Sequence, residues 1–450
     1  MMPMQASSAG DELDASYTNV NVTRIAFGSC HSRGALNKHL SSYPSSNNKT
    51  IWETIAAVVQ PQTFLWTGDA IYPPTEVKGD YLLETLKSEF HQMKTNTTLG
   101  YANFINNKML EGGVHGTWDD HDYGGNDRGY ELKGKEERRD AYLDFLGVKR
   151  KNNNRPGVYN SVEFGKEPNK VKVIFLDTRY TRSKHCIPSV GSHPYVPHGA
   201  IVACLTRLFT SRFNFCKDDK QVLGEEQWAW FERQLAESTA SMHVIVSSIQ
   251  VLTTNPVVES WGHFPNERKR LLNLINPVSG LVLLSGDVHH AEISSTKRVN
   301  VESRAIIEVT SSGLTHSCVG GWFGRFCQPI LDYFPKHRFQ GGNVASETGP
   351  SYFTKKNFGS ISIDWKTRKF QVKVHNELGH VELNTGPLEI DSAANLSHSE
   401  LDAVDECIDD HFLTMHHLHN MVALAGVVIG LVFYQFLKKR RRPLKHTKHD

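Results

Sequence analysis

The sequence predicts a layered α/β domain, and three observations predict it. Short apolar strands alternate with segments of helical spacing over the first two-thirds of the chain, a run of strands with long loops follows, and five of the apolar strands end in polar side chains. With 450 residues, 39% apolar and 22% charged, the chain is long enough for one large domain or two ordinary ones with a sizeable core. No internal repeat is visible.

In chain order, residues 23–28 read as a buried strand that delivers Ser29, Cys30 and His31. Residues 51–60 have helical apolar spacing that Pro61 stops, and 62–67 form a second strand running into Gly68-Asp69-Ala70-Ile71-Tyr72. Segments 81–94 and 101–110 read as amphipathic helices, and 113–118 as a strand feeding Asp119, Asp120, His121 and Asp122. Residues 135–145 are helical with their charges outward. Residues 158–164 and 171–176 are strands, the second ending in Asp177-Thr178-Arg179. Residues 182–222, rich in Cys, His and Pro, show no clear period and read as an insertion. Helices at 224–237 and 266–275 alternate with strands at 243–247 and 281–284, the last ending in Ser285-Gly286-Asp287-Val288-His289. Strands at 305–309, 359–364, 370–375 and 381–383 complete the pattern.

The ends differ in character. Residues 1–20 form a polar leader read as disordered, the folded domain spans 21–386, and 387–420 is a Ser-, Asp- and His-rich stalk. Residues 421–437 contain no charge, which at about 1.5 Å per residue spans roughly 25 Å, enough for a short transmembrane helix. The tail 438–450 carries seven Lys and Arg, so the net charge of +2 is misleading. With the tail set aside the body is mildly acidic, which excludes a general nucleic-acid-binding face. A basic cluster on one side of the span predicts a cytoplasmic tail and a lumenal or extracellular body. Asn-X-Ser/Thr acceptors at Asn21, Asn48, Asn96 and Asn395 agree with that orientation. Residues 1–17 lack the apolar core of a signal peptide, so either the start of the chain is missing or the protein is tail-anchored; the first is preferred. Of seven cysteines, Cys318 and Cys327 bracket a Gly/aromatic loop and Cys186, Cys204 and Cys216 fall in the insertion, where bridges would suit an oxidising compartment.

The chemistry lies at the strand ends. Asp119, Asp120, Asp122 and Asp127 crowd four carboxylates into nine positions, which is costly in a packed site unless cations sit among them. Cys30, Asp69, Asp177/Arg179 and Asp287/His289 stand at the ends of four other strands, where ligands bind in open α/β sheets. A binuclear phosphoesterase centre needs two cations about 3.5–4 Å apart, a bridging carboxylate and ligands from several strands. Asp69 is the natural bridge.

The ordered motifs Gly-Ser-Cys, Gly-Asp-X-X-Tyr, Trp-Asp-Asp-His-Asp with a following Asn-Asp, Leu-Asp-Thr-Arg, Leu-Gly-X-X-Gln-X-X-Trp and Ser-Gly-Asp-Val-His resemble those of the PhoD-like metallophosphatases, a branch of the calcineurin-like phosphoesterases. The resemblance covers about residues 22–295. It implies a four-layer α/β-β/α sandwich, hydrolysis of phosphate mono- or diesters by a metal-activated hydroxide, and two or more metal ions, Fe3+ with Ca2+ as companion. Cys30 and Tyr72 match the thiolate and phenolate donors that suit a trivalent ion, and carboxylate oxygens suit calcium. By the same resemblance Asp69 bridges, Asp120, Asp287 and His289 ligate, and Asn126 is a further ligand candidate. His121 is the general acid or the group that stabilises the leaving oxygen, Arg179 neutralises phosphate charge, and Asp119 and Asp122 orient the others.

The reading is therefore a membrane-anchored, metal-dependent phosphatase or phosphodiesterase of the secretory pathway or cell surface. Its partners are a phosphate ester and a membrane, and its oligomeric state is open. Two rivals remain at this stage: a phospholipid-directed hydrolase, and a binding protein that keeps the scaffold without turnover.

Overall fold

A computed structural model describes residues 14–33, 49–74, 80–148, 155–185, 207, 220–296, 305–320, 324–334, 339, 351–393 and 396–405. Two sheets face each other. The first has the order β14-β13-β12-β2-β3-β4, built from Val381–Asn384, Lys369–Asn376, Asn357–Asp364, Arg24–Gly28, Thr63–Thr67 and Val114–Thr117, with β15 (Leu388–Glu389) also on β13. The second has the order β1-β5-β6-β7-β8-β10-β9-β11, from Ala15–Tyr17, Asn160–Phe164, Val171–Phe175, Met242–Val246, Leu281–Ser285, Ile307–Ser311, Ala291–Ser295 and Tyr352–Phe353. Strands β2-β3-β4 and β6-β7-β8-β10 run parallel within their sheets.

Alternation along each strand creates the layers. Ile25, Phe27 and Leu65 point inward to meet Val173, Val244, Val246, Val282 and Leu284 of the other sheet. Ala26, Phe64 and Trp66 point outward, under helices Ile51–Val58, Leu83–Thr95, Tyr101–Ile105 and Lys135–Leu146. Ile174, Ile245 and Leu283 point out on the opposite side, under helices Glu225–Ala236 and Pro265–Ile275. The result is helices, sheet, sheet, helices: the four-layer sandwich expected.

Several expectations need correction. The leader ends earlier than residue 20, because Ala15–Tyr17 pairs in parallel with Val162–Phe164. The segment expected as a stalk is folded over its described residues 387–393 and 396–405. His398–Asp405 is a helix packed on Pro265–Ile275, burying Leu401 and Val404, and the Val404 carbonyl accepts from the Arg268 guanidinium. The helix expected over 101–110 stops at Ile105, where Asn106 donates back to the Ala102 carbonyl and Asn107 accepts from the Met109 N–H, both in competition with the helix. Cys318 and Cys327 form a disulfide. Cys186, Cys204, Cys216, Asn48, Asn395, most of the insertion and the apolar segment 421–437 lie outside the described residues. Among the described residues no helix is long and apolar enough to cross a membrane. Asn21 is exposed and Asn96 partly so.

Candidate metal centre

The C-terminal ends of β2, β3 and β4 meet those of β7, β8 and β10, and an isolated parallel bridge between Ser29 and Ser312 joins the two sheets there. Two glycines allow the approach. Gly68 has φ +105°, and a Cβ on it would lie 2.6 Å from that of Asp119. A Cβ on Gly286 would lie 2.5 Å from Ser29 Oγ. The Gly-Asp spelling at both strand ends is therefore a packing requirement as well as a turn signal. Cys30, Asp69, Asp287 and His289 all take left-handed backbone, with φ of 63°, 52°, 69° and 58°. Each such residue costs about 1–3 kcal/mol, strain of the kind that collects at functional sites.

Three groups of potential ligands result, each with donor atoms within 4.8 Å of one another: Cys30, Asp69 and His289; Asp69, Asp120 and His121; Asp119, Asp120 and Asp287. Asp69 belongs to the first two and Asp120 to the last two. Tyr72 joins the first, its hydroxyl 2.5 Å from Asp69 Oδ2 and 3.0 Å from His289 Nε2. Cys30 Sγ lies 3.7 Å from Asp69 Oδ2 and 3.0 Å from Ser312 Oγ, and it is the free cysteine among the described residues. Asn126 is partly exposed beside Asp127, whose N–H donates to Asp120 Oδ2 at 2.7 Å.

Asp122 takes a supporting role. It accepts from the N–H groups of Ala70 and Ile71, each at 3.1 Å, and of Asp119 at 3.3 Å, so it fixes the loop that carries Asp69. Arg179 is wholly buried beside the centre: its Nε donates to Asp119 Oδ1 at 2.5 Å and its Nη1 to Glu259 Oε1 at 2.9 Å, and its charge also acts on Asp120 and Asp287. Asp177 accepts from its own turn, from Arg179 N and Tyr180 N.

The donor set fits cations. Asp119 Oδ2 and Asp120 Oδ1 are buried and make no hydrogen bond to the described residues. Burial, with Asp120, Asp119 and Asp122 adding to it, pushes the Asp69 carboxyl well above its ordinary range, and burial does the same to Asp287. Burial and the Asp69 charge likewise raise the Cys30 thiol and the Tyr72 phenol. Asp120 goes the other way: burial would raise it, but His121, Arg179 and the Asp127 N–H outweigh that. Burial lowers His289 to about 4, leaving the neutral imidazole that a metal requires. Such a crowd of acids stays charged only against positive ions.

A fourth group, Asp127, His185 and Glu259, does not fit a cation. Arg207 pairs with Asp127, and Arg179 and Arg182 pair with Glu259, so three guanidinium groups face two carboxylates. Burial keeps His185 neutral. With Asp119, the other partner of Arg179, the three guanidinium groups meet three carboxylates, so the group is a charge-balanced network.

Sequence reasoning did not mark Tyr81, Glu259, Ser312 or His316. The His316 ring stands edge-on to Tyr72 and His289, at 4.7 and 4.4 Å between centroids. A signal existed for the last two: β10 ends at Ser311, two residues later than expected, and so delivers Ser312 and His316 as another polar strand end.

Two facing α/β sheets with carboxylate, imidazole and thiol groups gathered at their strand ends define a metal-dependent phosphoesterase. The model of the PhoD-like phosphatase family matches residues 111–374, more than half of the chain, and the chain belongs to that family. It is a phosphoric ester hydrolase. Cys30, Asp69 and Tyr72 precede the matched segment, so their place at the centre rests on the structure. A solved structure described as that of PhoD is similar at 17% identity, covering 88% of this chain and 78% of that one, with a TM-score of 0.42. No curated protein matches.

Proposed function

We propose that the protein is a membrane-anchored metallophosphatase or phosphodiesterase whose two metals share Asp69. The observation that carries this reading is that Asp69 alone belongs both to the group with Cys30 and His289 and to the group with Asp120 and His121. Cys30, Tyr72 and His289 would hold a trivalent transition ion, for which thiolate and phenolate are suitable donors, and Fe3+ is the proposed occupant. Asp120, Asp287 and Asn126 would hold the companion, for which Ca2+ is proposed, with Asp119 beside them. Bound there, the ions would supply positive charge to the phosphoryl oxygens and acidify water. The chain's own part is to hold these donors in strained, pre-set positions, to exclude bulk water from the carboxylates, and to present His121 to the leaving oxygen. Arg179 orients Asp119 and opposes the burial that raises its carboxyl to about 7.

The anchor rests on the apolar segment 421–437 and the basic tail after it. The body is proposed to be lumenal or extracellular. Elemental analysis of the full chain, with hydrolysis of an aryl phosphomonoester and an aryl phosphodiester, tests the enzyme reading; a metal-free, inactive protein would refute it. A glycosidase-dependent mobility shift tests the topology, and no shift would favour a cytosolic body.

A further inference from the structure

His121 has two possible lives at this centre. Its Nε2 lies 3.9 Å from Asp120 Oδ1, close enough for a third ligand to a metal held by Asp69 and Asp120. Alternatively that nitrogen carries a proton and donates it in a hydrogen bond to substrate. A neutral imidazole has one N–H, so whichever group holds Nδ1 decides the matter.

That group is Tyr81. Its hydroxyl lies 2.5 Å from His121 Nδ1, with the rings stacked at 5.8 Å between centroids. The tyrosine is 5% exposed. Its backbone is fixed on both sides, for Tyr81 N donates to the Gly124 carbonyl at 2.8 Å and the Tyr81 carbonyl accepts from Arg138 Nη2 at 2.5 Å. Gly124 closes the short helix Asp120–Tyr123 that carries His121, so tyrosine and histidine move as one unit. Nδ1 is the acceptor that the structure offers the Tyr81 hydroxyl. If the imidazole donated instead, the phenolic proton would be left buried without a partner among the described residues, at about 1–3 kcal/mol. Burial raises the phenol's pKa and so keeps it a donor.

We infer that Tyr81 is a positioning residue that locks His121 as the neutral Nε2–H tautomer, making it a hydrogen-bond donor to the leaving oxygen and not a metal ligand. This rests on the phosphoesterase reading above and deepens it. No proton leaves His121 in this scheme. The oxygen of a water molecule forms the new P–O bond, and the bond to the departing oxygen breaks with its electron pair going to that oxygen. The Nε2–H stabilises the charge as neutral histidine can at such sites, and the departing oxygen takes its proton from solvent as the attacking water releases one.

The test compares the metal-loaded full chain with Tyr81→Phe, which keeps both backbone bonds. The charge on the leaving oxygen is larger for an alkyl than for a nitrophenyl phosphate. Tyr81→Phe is therefore expected to lower kcat/KM about tenfold or more on the alkyl ester and much less on the aryl ester, with melting temperature and metal content near wild type. Equal losses on both esters, or none, would overturn the inference while leaving the phosphoesterase reading intact. Failure of the wild type on both esters would overturn that reading itself. Independently of turnover, His121→Ala is expected to keep the wild-type number of metals per folded chain, and loss of one metal would show that His121 is a ligand.

Discussion

Replacing Arg179 by Leu removes a guanidinium that is wholly buried between Asp119, at 2.5 Å, and Glu259, at 2.9 Å. Glu259 keeps Arg182 at 3.4 Å and His185 at 3.0 Å, whereas among the described residues Asp119 keeps the Ser248 hydroxyl at 2.8 Å on the same oxygen. Breaking a buried pair by removing one partner costs about 3–5 kcal/mol, because a charge stays behind without compensation. The unfolding entropy is about 2.1 cal/mol/K per residue, so over the roughly 390 residues from 14 to 405 that cost corresponds to about 4–6 °C of melting temperature. Scanning calorimetry at a fixed scan rate measures it, with kcat/KM on an aryl phosphate alongside. Adding Asp119→Asn is expected to recover part of the loss by removing the stranded charge. If Arg179→Leu melted within about 1 °C of wild type while kcat/KM fell a hundredfold or more, the arginine would be a direct phosphate contact, and its assignment to Asp119 would be refuted.

Two further outcomes follow from named contacts. Gly68→Ala combines a left-handed backbone with a Cβ 2.6 Å from that of Asp119, so a loss of at least about 2 kcal/mol is expected. Gly147→Ala, whose φ is +75° but whose Cβ would meet nothing within 4 Å, should cost only the backbone strain of about 1–2 kcal/mol, and equal melting shifts for the two would contradict the packing argument. Glu308 is buried, accepts from Val251 N and Leu252 N, and is raised by burial to about 7. A folded pKa above the unfolded value of about 4.3 gives stability that is fully present below pH 4 or so and is lost as pH rises through 7. Glu308→Gln should therefore flatten the fall of stability between pH 5 and 7, by up to about 1.36 kcal/mol per pH unit; parallel pH profiles would refute the shift.

Much of the fold was legible because the strands are short apolar runs that stop abruptly at Gly-Ser-Cys, Gly-Asp or Leu-Asp. The strand Ala15–Tyr17 was not, since three residues carry no period and take their conformation from pairing with Val162–Phe164. The strand Ala291–Ser295 was hidden by Glu292, Ser294 and Ser295, polar residues that are buried because β10 and β11 flank the strand, with Gln250 donating to the Glu292 carboxylate. Within the site, sequence identified the groups at strand ends and missed those that reach in from elsewhere. Tyr81 read as the first residue of a helix. The helix instead starts at Leu83, which leaves the tyrosine in extended chain and turned toward a histidine 40 positions away. Glu259 lies in a stretch without period, and only the fold brings it to Arg179, 80 positions earlier. Arg179 itself was found, but its burial could not be read from Leu-Asp-Thr-Arg.

The sharing of one carboxylate by two metals is tested most directly by counting metals per folded chain in wild type and Asp69→Asn. Two metals per chain are expected in the wild type, with loss of at least one and of turnover in the variant, whose melting before metal loading stays near wild type. An Asp69→Asn protein that kept the full complement and the wild-type rate would contradict the shared centre.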